Sequence, residues 1–580
     1  MPTYPDNLFG GQDKPRRAAA LARKRLLGVR HEAAKTPAIP RPGDDVLLRA
    51  TTSIDLAVQS LSLSYTTDDW SSVSELAFTP VAQKWETVIW TWLRTWECAL
   101  PPLPAGTMLR YKIAALLADG RQVWADNQAP DFNRASGFAI WYGEDETPAW
   151  SRQARVYQVF VDRFNPGAGK KWPDSADLTQ PLGGTLNGVT EKLPHIAALG
   201  FNTVWLSPIF ASPTHHGYDT MDYFQVEPRL GTLDDLKNLI SQAHKLGLRV
   251  LLDFVANHSS DQHPALRSAA QDRQAPEVGW FQWQRWPRYR AFYNVPSMPQ
   301  LDLRFGSPAR AHLLEAARYW LALGIDGYRL DYADGPEQDF WVDFRRACRA
   351  VNPECWTFGE VVRPADKQAS YAGGMDGTLD FLTCQALRQA FATREWPVSR
   401  LAAYLEAYPA SFPAGFSRPA FIDNHDMNRF YFTAGEDPRR LDLALSLLYL
   451  LPGPPIVYYG TDAQLSQRQS IHDRASQGFD EARLPLDWPA PETSTARLLP
   501  QLAALRDRFP GIASAEWKTV RLDDRADTAL FEVEGPDLHW WVALNAGESP
   551  APLPVSAAAI PVFSSCPGLP PAPPTDSLPP

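Results

Sequence analysis

The sequence predicts an α/β protein: a (β/α)8 barrel of the TIM type, with an N-terminal β-sandwich domain and a small C-terminal β-domain. From about Val156, eight apolar strand-like runs alternate with helical stretches. Such alternation indicates parallel strands, because each crossover between parallel neighbours needs a long connection, usually a helix. Before this region, and after about residue 515, short strand-like runs are separated by turn residues instead, which is typical of antiparallel sheets.

The part before the barrel divides in two. Residues 1–42 form an N-terminal extension that ends within the Pro-rich run TPAIPRPGDD, and its basic residues 14–35 predict a surface helix. Residues 43–148 predict the β-sandwich from the runs VLLRATT, SLSLSYTT, TVIWTWL, MLRYKIAAL and RQVWADN. The tryptophans of this domain suit a packed interior and also a binding surface. Of these two interpretations we favour packing.

The barrel is assigned to residues 149–510. Its strand-like runs are VYQVFVDRF, NTVWLSPIF, RVLLDFVANH, GIDGYRLDYAD, CWTFGEVV, GTLDFL, PAFIDNHD and PPIVYYGTD. The irregular interval at about 259–300 follows the third run and predicts a short inserted domain. Residues 511–563 predict the C-terminal β-domain. The Pro-rich tail at 564–580 offers few candidate core residues, so we expect it to be disordered.

Composition excludes several classes of protein. The 580 residues carry a net charge of −10, whereas a nucleic-acid-binding protein is expected to carry a basic excess. No apolar run approaches the length of a membrane span or a signal peptide. The five cysteines are scattered and odd in number, which favours free thiols in a reducing compartment. We therefore expect a cytoplasmic protein with no nucleic-acid or membrane partner.

Acidic and histidine side chains fall at the ends of the predicted strands, where barrels of this type build their active sites. In GYRLDYADG, Arg329 and Asp331 are two residues apart and share one face of a strand. A neighbouring arginine favours the ionised carboxylate, and an ionised carboxylate can act as a nucleophile. On this segment alone, a purely structural ion pair is an equally good interpretation.

Three further strand ends add candidates. Glu360 in FGEVV has apolar neighbours, which raise the pKa of a carboxyl group and keep it protonated for work as a general acid. DNHD supplies His425 and Asp426, and DFVANH supplies Asp253 and His258. Each imidazole alone is more often a packed side chain than a ligand. Asp331 and Glu360 are two carboxylates in opposed environments. A retaining glycosidase needs such a pair, with the two groups about 5–5.5 Å apart.

With these motifs in order, the sequence resembles glycoside hydrolase family 13, the α-amylase family. DFVANH, GYRLD, FGEVV and FIDNHD resemble its four conserved regions, MPQLDL an additional region, and HGYDTMDYF a further motif. The resemblance covers about residues 150–490. It implies that Asp331 is the nucleophile, Glu360 the general acid/base, and Asp426 a stabiliser of the transition state. It also implies a set of substrate-binding side chains: Arg329, His258, His425, Tyr218, His216 and Asp253.

The sequence departs from the family pattern after the nucleophile. Ala333 is similar to neopullulanase- and cyclomaltodextrinase-like members, but Asp334 and Gly335 match neither these nor other α-amylases. Calcium is common in the family, in some members at the position of Asn257. However, calcium prefers six to eight oxygen ligands, and the loop after Phe164 lacks the fuller Asn/Asp set of the calcium-binding loops in neopullulanase-like members. We predict no cofactor and no metal, with calcium left open.

The resemblance implies a retaining hydrolase that cleaves α-1,4 glucosidic bonds, with α-1,6 bonds as an open alternative, in maltooligosaccharides, cyclodextrins or related α-glucans through a covalent β-glucosyl-aspartate. A transglycosylase of the same family would use the same residues. A non-catalytic glucan-binding protein is the alternative of another class, but the three acidic residues are retained. The α-glucan is the expected partner, and a homodimer through the N-terminal domain is a further candidate. Aromatic residues at 280–293 are expected to line the cleft.

Overall fold

The computed structural model describes residues 15–143 and 146–551. The tail expected at 564–580 lies outside the described residues. In chain order, the described part contains an antiparallel sandwich, a parallel barrel and a three-stranded antiparallel sheet. No helix in these ranges is long and apolar enough to cross a membrane.

The sandwich consists of two antiparallel sheets whose side chains alternate between interior and solvent. Along one strand Val46, Leu48 and Ala50 are buried whereas Arg49 is exposed, as expected for a sheet with one covered face. The first sheet comprises Val29–Arg30, Lys35–Thr36, Val46–Ser53, Thr79–Glu86 and Thr91–Leu100. The second comprises Val58–Thr66, Ser74–Ala77, Thr107–Leu117, Gln122–Trp124 and Phe138–Tyr142.

The N-terminal extension is partly built into this domain. The basic segment contains a helix, Pro15–Leu26. After the helix, Val29–Arg30 and Lys35–Thr36 pair with the strand Val46–Ser53. Residues 29–36 are therefore part of the sandwich sheet, although the sequence pattern placed them in the extension. Two-residue strands have no periodicity by which a sequence could reveal them.

Seven parallel strands form most of the barrel, and a short segment at Ala420 closes it. The strands are Val156–Val159, Thr203–Leu206, Arg249–Val255, Gly327–Asp331, Trp356–Gly359, Gly377–Thr378 and Ile456–Tyr458. Ala420 makes parallel bridges to Asp380 on one side and Pro455 on the other. The last strand pairs with the first, so the ring of eight positions is complete and the predicted α/β barrel is confirmed.

Helices surround the barrel, and their ends follow ordinary capping chemistry. Thr232 accepts a hydrogen bond from Asp235 N while the Asp235 carboxylate accepts from Thr232 N, a capping box that satisfies two helix-end donors. The same helix buries Leu236, Leu239 and Ile240 against the barrel. The long helices are Leu186–Ala198, Leu233–Lys245, Pro308–Ala322, Gln338–Val351, Val398–Ala407, Pro438–Leu450 and Ser494–Arg508. Shorter ones are Val161–Phe164, Pro264–Gln271, Ala365–Ala369, Phe381–Leu387 and Phe430–Thr433.

Three smaller β units complete the described part of the chain. After the second barrel strand, Phe210–Ala211 pairs with Asp222–Val226. The interval after the third barrel strand holds the helix Pro264–Gln271 and a small hairpin, Trp283–Arg285 with Arg288–Tyr289. The C-terminal sheet consists of Glu516–Asp523, Thr528–Gly535 and Leu538–Asn545. Its inward residues Phe531 and Val533 belong to the same buried cluster as the barrel core.

The tryptophans of the sandwich differ from the favoured interpretation. Trp96 is buried, with its Nε1 donating to Thr52. However, Trp85, Trp90 and Trp92 are 39%, 73% and 43% exposed. These three lie together at the end of the hairpin formed by Thr79–Glu86 and Thr91–Leu100, with ring centroids 5.5 and 5.6 Å apart. They form an exposed aromatic patch, which we call the tryptophan hairpin.

Candidate active site

The acidic residues of the motifs meet at the carboxyl ends of the barrel strands. Asp331 is the last residue of the fourth strand, Glu360 directly follows the fifth, and Asp253 lies near the end of the third. Asp426 follows the segment that closes the ring at Ala420. Parallel strands end at one face of a barrel, so residues that are far apart in the chain become neighbours.

Arg329 connects three of these carboxylates. Its Nη1 donates to Asp253 Oδ1 and Oδ2 at 2.8 and 2.9 Å and to Asp331 Oδ1 at 2.9 Å. Its Nη2 lies 2.8 Å from Glu360 Oε2 as an ion pair. The guanidinium is fully buried. One buried cation thus offsets the mutual repulsion of several acids, which would otherwise be costly to hold together away from water.

The pKa of Asp331 differs from the sequence expectation. Burial raises the pKa of Asp331 well above its usual value, Arg329 opposes this, and the carboxylates of Glu360 and Asp253 add to the rise. The sequence predicted a lowered pKa because it revealed the neighbouring arginine but not the depth of the site or the second and third acids. Burial likewise raises the pKa of Asp253, against the effect of Arg329.

Glu360 contacts its surroundings through one oxygen. Oε2 accepts a hydrogen bond from Tyr332 N at 3.1 Å and forms the ion pair with Arg329. The side chain is 15% exposed, and its strand neighbours Phe358 and Val361 are buried. Both contacts engage Oε2, which leaves Oε1 as the oxygen suited to carry a proton towards a ligand.

His425 and Asp426 belong to a second connected group. Gln158 Nε2 lies 2.7 Å from His425 Nδ1. The other ring nitrogen, Nε2, lies 2.5 Å from the Tyr218 hydroxyl and 3.0 Å from Asp426 Oδ2. Tyr218 donates in turn to Asp253 Oδ2 at 3.1 Å. The predicted residues Tyr218, His425 and Asp426 are therefore joined to the group around Arg329 by hydrogen bonds.

Arg483 supports Asp426 and was not anticipated from the sequence. Its Nη2 donates to Asp426 Oδ1 at 2.8 Å and its Nε to the His425 carbonyl oxygen at 2.9 Å. Asp480 contacts both Arg483 and His215. Burial acts to raise the pKa of Asp426, but His425, Arg483 and Arg329 outweigh it and hold that pKa below its usual range. Asp426 is consequently ionised at neutral pH.

Arg483 and Asp480 lie in GFDEARLPLDW, beyond the eighth strand, where the sequence shows neither periodicity nor a strand end. Gln158 is equally unmarked, since an isolated glutamine in an apolar strand carries no signal of its partner. The signal for Asp480 and Arg483 in the sequence was their spacing of three residues. Such pairs are common on protein surfaces, so this spacing did not mark a site.

The other two predicted histidines are engaged within the protein. His258 Nε2 lies 2.9 Å from the Tyr218 carbonyl oxygen, and its Nδ1 lies 3.2 Å from Asn257 Nδ2. Its ring stacks on Phe292. His216 Nδ1 accepts from Tyr218 N at 3.1 Å, and burial lowers the pKa of His216 to about 3. Both histidines thus hold the backbone of Tyr218, and both are neutral, since burial also lowers the pKa of His258 to about 4.

The aromatic loop at 280–293 reaches the site only at its end. Phe292 and Tyr293 contact Tyr332, the residue after Asp331, with ring centroids 4.6 and 5.6 Å apart. Trp286 instead donates to the Ala269 carbonyl oxygen within the insert. The insert therefore contributes two aromatic rings to the wall of the site.

The side chains of Asn257 and Asp302 are engaged by other groups of the protein. The Asn257 amide contacts His258. Asn257 Oδ1 also lies close to Gly335, because a Cβ added to that glycine would be only 2.1 Å from this oxygen. Asp302, the nearby acidic residue of MPQLDL, is paired with Arg304. Within the described ranges, the group of ligand-type side chains close enough to share an ion is Glu532, Glu534 and His539, on the C-terminal sheet. Calcium needs more oxygens than one amide.

The fold and site together define a barrel enzyme with clustered acidic residues, and comparison with known proteins identifies its family. Residues 158–499 match the family described as alpha amylase, catalytic domain. The chain is 36% identical over 344 residues to Alpha-amylase 2 of Dictyoglomus thermophilum, covering 59% of this chain and 60% of that protein. It is 30% identical to Neopullulanase 2 of Thermoactinomyces vulgaris, covering 69% and 70%. A solved cyclomaltodextrinase superposes with a TM-score of 0.65 at 26% identity, covering 89% and 91%.

The chain belongs to the α-amylase family and is a glycoside hydrolase. It spans less than two thirds of the Dictyoglomus relative. The resemblance predicted from the ordered motifs is thus confirmed, together with the barrel fold.

Proposed function

We propose that this enzyme hydrolyses α-1,4 glucosidic bonds, with α-1,6 bonds as the alternative, in maltooligosaccharides, cyclodextrins or related α-glucans, with retention of configuration. The names of its relatives support this substrate class: one is a neopullulanase and one a cyclomaltodextrinase. No metal or cofactor takes part in the proposed reaction.

The contacts of Arg329 carry the proposal. Asp331 and Glu360 each lie within 3 Å of a different nitrogen of the same guanidinium. They therefore face one small volume at the end of the barrel, which favours direct attack by a carboxylate over a mechanism that needs room for water between the two acids. Asp331 Oδ1 is held by Arg329, so Oδ2 is the oxygen that attacks.

In the first step, Asp331 bonds to the anomeric carbon while the bond to the leaving oxygen breaks and Glu360 gives that oxygen its proton. In the second step, Glu360 takes a proton from water, the water oxygen bonds to the anomeric carbon, and Asp331 leaves. The ionised Asp426 accepts hydrogen bonds from sugar hydroxyls, and Asp426 and His425 together stabilise the transition state. Tyr218, His216 and His258 shape the floor of this subsite.

The test is proton NMR of the purified protein mixed separately with maltoheptaose, β-cyclodextrin and pullulan, beside an Asp331→Asn control. We expect new α-anomeric reducing ends before mutarotation, with turnover in the control reduced by at least about 10³-fold. β-anomeric product, or full activity in a correctly folded control, would contradict the proposal. Longer products without new reducing ends would assign the chain to transglycosylation instead.

We also propose that the protein forms a homodimer through its N-terminal domain. The tryptophan hairpin supports this proposal, because contiguous exposed aromatic surface marks interaction sites. Trp85 contacts both Trp90 and Trp92, and Trp90 is the most exposed of the three.

A further inference from the structure

An ion pair joins the two loops that follow the proposed catalytic carboxylates. The fourth barrel strand ends at Asp331, and Asp334 lies three residues further on. Glu360 directly follows the fifth strand, and Arg363 lies three residues after it. Arg363 Nε donates to Asp334 Oδ2 at 2.6 Å. Each partner of the pair therefore stands at the same short distance along the chain from a catalytic group.

Asp334 is anchored through both of its oxygens. Oδ2 accepts from Arg363, and Oδ1 accepts from the Tyr371 hydroxyl at 3.1 Å. Burial, with a contribution from Asp334, raises the pKa of Tyr371 well above its usual value, so this hydroxyl is a neutral donor. The Asp334 side chain is 11% exposed and that of Arg363 is 34% exposed. A partly buried pair of this kind is screened less by water and salt than a surface pair.

The two residues before Asp334 hold Glu360. Tyr332 N donates to Glu360 Oε2 at 3.1 Å, and Ala333 N donates to the Glu360 carbonyl oxygen at 2.9 Å. Glu360 is thus bound at its carboxylate and at its backbone by consecutive residues of the loop after the nucleophile. Asp334 is the next residue, and it fixes that loop against Arg363. Asp334 can therefore act on Glu360 through the backbone of the loop.

The loop after the nucleophile has little room to adjust. Tyr332 has a φ of 37°, in a region that residues other than glycine seldom adopt. Such a conformation persists where the surrounding contacts over-determine it. The two loops also pack closely, because a Cβ added to Gly359 would lie 2.8 Å from Ala333 Cβ. Without the anchor at Asp334, the strained loop would relax and its two N–H groups would shift relative to Glu360.

We infer that Asp334 is a positioning residue: through Arg363 it holds the loops after the fourth and fifth strands together, so that Glu360 is placed to protonate the leaving oxygen. The contacts of Asp334 are with Arg363 and Tyr371, and it acts through them rather than on the substrate. This inference rests on the proposed function, in which Glu360 is the general acid. It also gives a role to Asp334, where the sequence departs from the family pattern.

The test compares two donors that differ in their need for a general acid. Maltotriose loses a sugar whose oxygen must receive a proton, whereas α-maltosyl fluoride loses fluoride, which leaves with far less help. For both donors, kcat/KM includes the step in which Asp331 attacks. Asp334→Asn keeps the shape of the side chain and removes its charge. We expect this variant to lower the ratio of kcat/KM for maltotriose to kcat/KM for the fluoride by about tenfold.

Asp326→Asn is the matched control. Asp326 directly precedes the fourth strand, at the end opposite to Asp331, and its Oδ1 accepts from Arg249 Nη1 at 2.9 Å. The side chains of Asp326 and Arg249 are 9% and 39% exposed, close to the values for Asp334 and Arg363. The control therefore removes the charge from a comparable ion pair of the same strand, far from the catalytic end. It is expected to keep the wild-type ratio.

Arg363→Gln tests the route of the effect and serves if Asp334→Asn does not fold. This variant is expected to lower the same ratio by about tenfold. The variant with both substitutions should lose no more than either single variant, because two side chains that act as one pair are not additive. Losses that multiply in the double variant would overturn the route through Arg363.

The outcomes separate this inference from the proposed function. An unchanged ratio in Asp334→Asn, or an equal fall for both donors, would overturn the positioning role, because a residue that only stabilises the fold does not discriminate between leaving groups. A fall of the same size in Asp326→Asn would overturn it as well. Wild-type protein that cleaves neither donor would overturn the proposed function itself.

Discussion

At the scale of single residues, the site depends on one buried cation. Arg329 lies against Asp331, Glu360 and Asp253, and its positive charge makes this cluster of acids tolerable in a buried place. The same burial leaves Asp331 with a raised pKa, whereas Asp426 keeps a lowered one because Arg483 and His425 contact it directly. Asp331 and Asp426, two carboxylates at one barrel end, therefore differ in their readiness to ionise.

This difference predicts the acid limb of the pH profile. Asp331 must be ionised to attack. Its folded-state pKa lies above the usual value. As the pH falls, activity is therefore lost at a higher pH than it would be with an ordinary aspartate. The kcat/KM profile, which reports the free enzyme, should show an acid limb above about pH 4. Asp426 cannot produce that limb, because its pKa is shifted in the opposite direction. An acid limb at or below pH 4 would contradict the assignment.

At the scale of elements, each catalytic group stands on or just after a strand, and a loop after the strand fixes its surroundings. The loop after the fourth strand is the most constrained. Tyr332, with φ of 37°, gives its N–H to Glu360, and Gly335 packs directly against Asn257. These contacts join the third, fourth and fifth strand ends, so a change in one loop is transmitted to both catalytic carboxylates.

Gly335→Ala tests that coupling. A Cβ at this position would lie 2.1 Å from Asn257 Oδ1 and 2.8 Å from Tyr332 Cδ1, so the loop must move. We expect a loss of about 1–3 kcal/mol in the free energy of unfolding, together with a lower kcat/KM. Gly279→Ala is the matched control, because a Cβ there meets Pro308 at an ordinary 3.5 Å. Denaturant unfolding and kinetics of both variants measure the effect, and equal behaviour would disprove the coupling.

At the scale of the whole molecule, the sandwich does more than precede the barrel. Arg110 pairs with Asp343 of the helix Gln338–Val351, and Ala139 N donates to Gln338. Lys35 Nζ donates to the Ala372 carbonyl oxygen in the loop after the fifth strand. These contacts hold one end of the sandwich beside the active-site loops, while the tryptophan hairpin stays exposed.

The proposed dimer gives a prediction at this scale. If the tryptophan hairpin forms the contact, Trp90→Ser should weaken dimerisation at least about tenfold, since exposed tryptophans that become buried dominate binding energy. Trp541→Ser is the control: it removes a tryptophan that is 48% exposed on the C-terminal sheet. This variant should leave the molecular mass measured in solution unchanged. Light scattering over a concentration series measures both. A wild-type monomer, or a dimer that Trp90→Ser does not weaken, would contradict this proposal.

The sequence by itself determined the barrel, its strand ends and the family, because apolar periodicity and short motifs are local properties of the chain. Asp331, Glu360 and Asp426 could be named from it, since each stands beside a recognisable strand. Only the tertiary structure decided the partners Arg483, Gln158 and Asp480, the raised pKa of Asp331, and the contacts between the sandwich and the active-site loops. Burial depth, hydrogen bonding across the barrel and contacts between domains depend on residues that are hundreds of positions apart, and no local pattern records them.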